Sequence, residues 1–161
     1  MRIRVILSVI FFLAASLRAQ DAKPQPKTDA TPAQDSASAS GYSGMYTFLK
    51  DGEFVQVTVE DGGRVSGLVS RYAQGDSGEF IDQFFKTAKL EGNKFSFTTN
   101  ETKGVSFDFK GTVERGEGKN PGDEAYYVLK GTLTENTTGA DKKTNSRTQE
   151  VVFKAFSPEK S

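Results

Sequence analysis

Histidine, cysteine and tryptophan are all missing from this chain of 161 residues. Without histidine or cysteine the commonest nucleophile–base pairs, zinc sites and thiol redox chemistry are unavailable. Disulfides and lipid anchoring through a cysteine are excluded as well. These absences argue against an enzyme, and no cofactor or metal is expected. An excess of one charge is also lacking, with 21 basic against 21 acidic residues. Such a surface has no basic field to draw in nucleic acid or an anionic membrane. Proline is scarce: three of the five fall at Pro24, Pro26 and Pro32, and none lies between residues 33 and 120. That suits β-ladders in which every backbone N–H is needed.

Only one long apolar run is present, residues 5–17, behind the basic start Met1-Arg2-Ile3-Arg4 and before the small residues Ala14, Ala15 and Ala19. At about 13 residues it matches the core of a secretory signal and falls short of the roughly 20 a helix needs to cross a bilayer. We therefore expect residues 1–19 to be a signal peptide cut after Ala19, an exported protein (periplasmic or extracellular), and no membrane span after cleavage. Loss of Arg2, Arg4 and Arg18 leaves 18 basic against 21 acidic residues, a mature net charge of −3. Residues 20–43 are rich in proline, serine and alanine and read as a disordered linker, too poor in apolar side chains to offset the entropy of ordering. Residues 44–156 form the expected domain, and 157–161 a short tail.

Within that domain short aromatic and β-branched bursts alternate with turn residues such as Asp51-Gly52, Asp61-Gly62-Gly63 and Glu91-Gly92-Asn93. Seven breaks delimit eight strands, near 44–50, 53–60, 64–72, 83–90, 94–100, 104–114, 124–135 and 147–156. Short connections make sequential strands antiparallel neighbours, so the expected fold is an all-β up-and-down meander. It either closes into a small barrel or folds over as a sandwich; closure is favoured because it removes exposed edges. One segment, Ser77 to Ala88, places apolar residues at i, i+1, i+4, i+5 and i+8 and predicts a short helix near 78–83. The stretch Phe107-Asp-Phe-Lys-Gly-Thr-Val113 is echoed by Tyr127-Val-Leu-Lys-Gly-Thr-Leu133, and glycines at 67, 111 and 131 fall on the inward face, where a barrel bends or a neighbour needs room.

The domain opens Gly44-Met45-Tyr46-Thr47-Phe48, which resembles the Gly-x-Trp start of the calycin barrels (lipocalins, fatty-acid-binding proteins, avidins), with Tyr46 at the tryptophan position. The resemblance implies an eight-stranded barrel with room for a small apolar ligand. The tryptophan cage of the avidins is absent, which argues against biotin. Two functional readings follow. An exported, non-enzymatic module would hold a small apolar ligand among inward aromatics, for which Tyr46, Phe48, Phe95, Phe97, Phe107, Phe109 and Tyr127 are the candidates, with Phe84 and Phe153 as further inward positions. Alternatively, a filled barrel would act as a structural or interaction domain, through an outer apolar patch of Tyr126, Val128, Val152 and Phe156 facing a protein partner or a second copy. Inward polar groups converging among the rings would favour the ligand. The loop 114–124 gathers Glu114, Glu117, Asp123 and Glu124 but lacks the spacing that surrounds a calcium ion, and reads as a solvated hairpin.

Overall fold

The computed structural model describes residues 40–73 and 78–156; the expected signal peptide, most of the linker, Ser77 and the tail at 157–161 lie outside the described residues. Eight strands run in sequence order, each antiparallel to the next: β1 Gly44–Thr47, β2 Phe54–Val59, β3 Val65–Tyr72, β4 Phe80–Glu91, β5 Lys94–Thr99, β6 Val105–Arg115, β7 Tyr127–Thr138 and β8 Thr144–Lys154. Period-two alternation produces this arrangement directly. On β2 Val55, Val57 and Val59 are buried while Gln56 and Thr58 face water, and β5 and β6 repeat the pattern. The tight connections need left-handed backbone, which glycine supplies: Gly52 (φ 82°) between β1 and β2 and Gly92 (φ 60°) between β4 and β5.

The predicted helix near 78–83 does not form; Gly78 and Glu79 lie outside any element and Phe80 begins β4, the joint-longest strand at 12 residues. The doubled apolar spacing has another cause. Ile81 and Phe85 point inward while Phe80 and Phe84 stand on the outer wall, so both faces of one strand are apolar and mimic a helical stripe. A bulge between Phe85 and Thr87 then turns the strand: its first half pairs with β3 and its second half with β5. The meander thereby becomes two sheets sharing β4, strongly curled around one core.

The repeated Lys-Gly-Thr segments are partners in the sheet, with Lys110 opposite Thr132, Gly111 opposite Gly131 and Thr112 opposite Lys130. A Cβ added at Gly111 would lie 2.2 Å from the Lys130 carbonyl oxygen, and one at Gly67 would lie 2.6 Å from the Phe85 ring. Both positions therefore need glycine for room where the sheet bends. The curl brings β8 round to β1, where Tyr46 and Ala155 form a bridge and the Phe156 N–H donates to the Met45 carbonyl at 2.8 Å. The result is a strongly curled half-barrel stitched at its seam; no described strand pairs with the outer edge of β8 from Thr144 to Glu150. Ser40–Tyr42, assigned to the linker by composition, form a 3-10 turn, because the Tyr42 ring meets Tyr127 edge-on at 4.9 Å and its carbonyl accepts the Tyr46 hydroxyl at 2.6 Å.

Candidate functional site at the polar end of the barrel

A connected set of rings fills the middle of the interior. Phe97 stacks between Phe85 (4.4 Å between centroids) and Phe109 (5.4 Å), Phe95 leans on both Phe97 and Phe109, and Phe109 continues to Phe153 at 5.9 Å. Phe48 closes the set by touching Phe107 and Phe153, each at 5.1 Å. These separations are those of rings in direct contact. Phe95, Phe97 and Phe109 are at most 2 % exposed. Of the expected ligand-lining residues, these three are mid-core, Phe48 and Phe107 lie toward one end, and Tyr46 and Tyr127 toward the other. Phe84 stands outside, 61 % exposed, and Phe153 is inside.

At the Tyr46 end the barrel is plugged. Burial raises the Tyr46 hydroxyl well above the ordinary tyrosine range, with Tyr127 and Tyr42 adding to the effect. Arg115 lies over the Tyr126 ring at 3.3 Å and donates to the Tyr126 and Gly118 carbonyls. Asp123 accepts from the backbone N–H groups of Lys119 and Asn120 and so shapes the β6–β7 turn. Among the described residues no acidic cluster could hold a metal ion. The folded-back turn also alters the expected outer patch: Val152 (51 %) and Phe156 (43 %) are exposed, Tyr126 is half-buried beneath Arg115, and Val128 is buried at 8 % because Gly116 closes over it.

The other end, reached by the β1–β2, β3–β4, β5–β6 and β7–β8 turns, is polar. Alternation on β3 carries the inward face from Gly67 through Val69 to Arg71, which is only 5 % exposed. Its Nε–H donates to Gln83 Oε1, Nη1 donates to the Tyr72 carbonyl at 3.0 Å and Nη2 reaches the Thr102 carbonyl at 3.5 Å. The guanidinium carbon lies 5.7 Å from the centre of the Phe107 ring. Gln83, wholly buried, donates from Nε2 to the Asn100 and Val105 carbonyls. Thr99 accepts the Phe107 N–H at 3.0 Å. Glu53, 4 % exposed, accepts the backbone N–H groups of Lys50 and Tyr72, and Glu135 stands opposite Phe107 across the β6–β7 ladder.

Among the described residues no carboxylate lies within 4 Å of the Arg71 guanidinium. Burial lowers its pKa, while Glu135 and then Glu53 act in the opposite direction from farther away. A guanidinium remains charged under such a shift, because its ordinary value is so high. An inward cation, an amide and two carboxylates therefore cap a column of rings, beside the edge of β8 that no described strand covers.

The architecture, eight antiparallel strands in a strongly curled meander, is similar to that of avidin-type barrels. Two solved structures share the fold. Rhizavidin matches with a TM-score of 0.57 at 15 % identity over 79 % of this chain and 91 % of its own. The rhizavidin–biotin complex matches with a TM-score of 0.52 at 17 % identity over 70 % of this chain and 98 % of its own. No protein-family model matches the chain, and no curated protein matches it. Arg71, Gln83, Glu53 and Glu135 were not among the sequence candidates. Arg71 was legible from the alternation of its strand; Gln83 was hidden by the helical reading of 78–83.

Proposed function

We propose that this chain is an exported, non-enzymatic binding module that takes a small ligand at the Arg71 end of its barrel. The apolar body of the ligand lies against Phe48 and Phe107, and an oxygen-bearing head meets the guanidinium. The observation that carries this reading is Arg71: a buried cation with no ion-pair partner among the described residues and with its guanidinium carbon 5.7 Å from the centre of the Phe107 ring. Burying a charge without a close counter-charge costs several kcal/mol, a cost an anionic ligand would offset. Guanidinium forks also suit carboxylates and similar oxygens geometrically. The filled mid-core restricts a ligand to this end. Fold likeness supports the class, since the rhizavidin barrel is seen with biotin; the absence of tryptophan here argues for a different ligand. Export rests on the leader-like residues 1–19.

Native mass spectrometry of the protein purified from its own host tests the reading. The expected result is one small acidic or strongly oxygenated molecule per chain, released on denaturation and missing from Arg71→Met, with Arg71→Lys intermediate. Circular-dichroism melts confirm that each variant is folded. A molecule retained equally by all three proteins, or a wild-type protein that carries nothing and gains no mass with any fatty or aromatic carboxylate, would overturn it.

A further inference from the structure

Beyond the seam the wall of the half-barrel is one strand short. β1 has four residues and β8 eleven, so their contact ends near Lys154 and the β8 edge from Thr144 to Glu150 stands open among the described residues. The seam fixes which backbone groups face that edge. The Lys154 and Phe156 N–H groups point to β1, donating to Thr47 Oγ1 at 2.9 Å and to the Met45 carbonyl at 2.8 Å; the Ala155 N–H points the other way, to the Tyr127 carbonyl at 3.0 Å. The register between β7 and β8 runs without a shift from the Val128 and Lys154 pair to the Thr138 and Thr144 pair. Alternation therefore turns the N–H and C=O groups of Glu150, Thr148, Ser146 and Thr144 to the open edge, about 7 Å apart. Among the described residues no partner meets these groups.

From this edge we infer that the protein takes an extended, acid-bearing segment of a partner protein as a ninth strand, antiparallel to β8. A row of free donors and acceptors at that spacing is met in full only by another polypeptide backbone. Exposed edges are commonly blunted by proline, a bulge or a covering element; β8 has no proline and no shift of register, and its one inward charge is Arg147. The side chains specify the guest. Facing in, Val151 packs against the core, Gln149 lies opposite Leu133, and Arg147 lies opposite Glu135 with no ion-pair partner among the described residues. Facing out, the Thr148 hydroxyl meets that of Thr134 at 3.0 Å and Ser146 donates to Asn136 Oδ1 at 2.6 Å, so the outer row is rich in hydroxyls. A fitting strand alternates accordingly: an apolar residue opposite Val151, a carboxylate opposite Arg147, and hydroxyl side chains on the outer face. A basic residue at the Arg147 position sets two cations side by side and is rejected. The inference is independent of the Arg71 ligand, because the β8 backbone and Arg147 carry it.

Nuclear magnetic resonance of the full chain with the capped peptide acetyl-Thr-Val-Lys-Gln-Thr-Glu-Thr-amide tests this. In antiparallel register its valine lies opposite Val151 and its glutamate opposite Arg147. The expected result is saturable binding that slows amide exchange at Ser146, Thr148 and Glu150 by about tenfold or more at saturation. Asn145, Arg147 and Gln149, whose N–H groups face β7, stay as they were. Methylating the backbone nitrogen of the peptide's second threonine, which faces Thr148, abolishes binding, whereas methylating that of its glutamine, which faces away, does not. Thr148→Pro removes an edge donor and keeps the pairing with β7, so this variant stays folded by circular dichroism and loses the peptide. Arg147→Glu weakens binding, and a peptide with lysine in place of its glutamate restores it. A peptide that leaves the edge amides unchanged, or that binds Thr148→Pro as it binds the wild type, would overturn the inference. So would protection of the Ser146, Thr148 and Glu150 amides in the free protein, which would mean that the edge is already held by a second copy or by the chain's own ends.

Discussion

Replacing Gln83 by leucine isolates the polar cap. The two side chains are close in volume, so the substitution opens little cavity and acts through hydrogen bonds. Gln83 accepts the Arg71 Nε–H and donates to the Val105 carbonyl at 2.8 Å and the Asn100 carbonyl at 3.1 Å. The three partners fare differently. Val105 keeps a second donor, the Thr102 N–H at 2.9 Å, and exposed Asn100 can turn to water. Arg71 Nε–H, inside a residue 5 % exposed, is left with nothing. A hydrogen bond to a charged group contributes about 1.5–3 kcal/mol, and the carbonyls add a fraction more, so the expected loss is about 2–4 kcal/mol. Urea denaturation followed by far-ultraviolet circular dichroism measures it, with an unchanged slope showing that the unfolded ensemble is the same. The double variant Gln83→Leu with Arg71→Met removes the stranded charge and is expected to recover most of the loss, since removing both partners of a buried polar contact costs far less than removing one. A single-variant loss below about 0.5 kcal/mol would refute the reasoning, because Arg71 would then have another partner or open access to water.

Other consequences follow from the core and the seam. Phe109→Ala removes a fully buried ring that touches Phe95, Phe97 and Phe153, and is expected to cost about 3–5 kcal/mol in the same urea assay. Gly111→Ala drives a methyl group against the Lys130 carbonyl and the Gly131 Cα at 2.8 Å; a loss of about 1–3 kcal/mol is expected, seen as a lower melting temperature. Tyr46 gives the alkaline behaviour. Its folded pKa is raised by burial, so its stabilising contribution is complete below the unfolded tyrosine value of about 10 and is lost as pH rises from there. Melting temperatures against pH should therefore fall above that point, and Tyr46→Phe should flatten the fall while losing the bond to the Tyr42 carbonyl.

Much of the fold is legible from local pattern. Val55-Gln-Val-Thr-Val59 alternates cleanly, as do Phe95-Ser-Phe97 and Phe107-Asp-Phe109, and the turns carry the glycines that their backbone requires. Strand count, order and the inward glycines followed from these features. The failures have a common source in tertiary context. Phe80 and Phe84 are apolar on an outer wall, which made a strand look helical. Val128 alternates outward, and only the returning β6–β7 turn buries it. Ser40–Tyr42 read as linker because a single ring, Tyr42, orders them. The polar cap carries a weaker sequence signal for a related reason: inward aromatic residues are conspicuous in the pattern, yet the rings here satisfy one another, and the inward polar residues are the uncommon feature. Arg71 in Val69-Ser-Arg71 sat on the inward register throughout.

The claim that this end of the barrel is a binding site is tested most directly by nuclear magnetic resonance of the Arg71 Nε–H, a buried proton held by Gln83. The protein is titrated with medium-chain and aromatic carboxylates. If the account is right, at least one saturable probe shifts this resonance together with ring signals of Phe48 and Phe107, and leaves Tyr46 and Tyr127 at the opposite end unmoved. Shifts confined to the Tyr46 end or the outer walls, or an Arg71 signal unchanged by every probe, would contradict it.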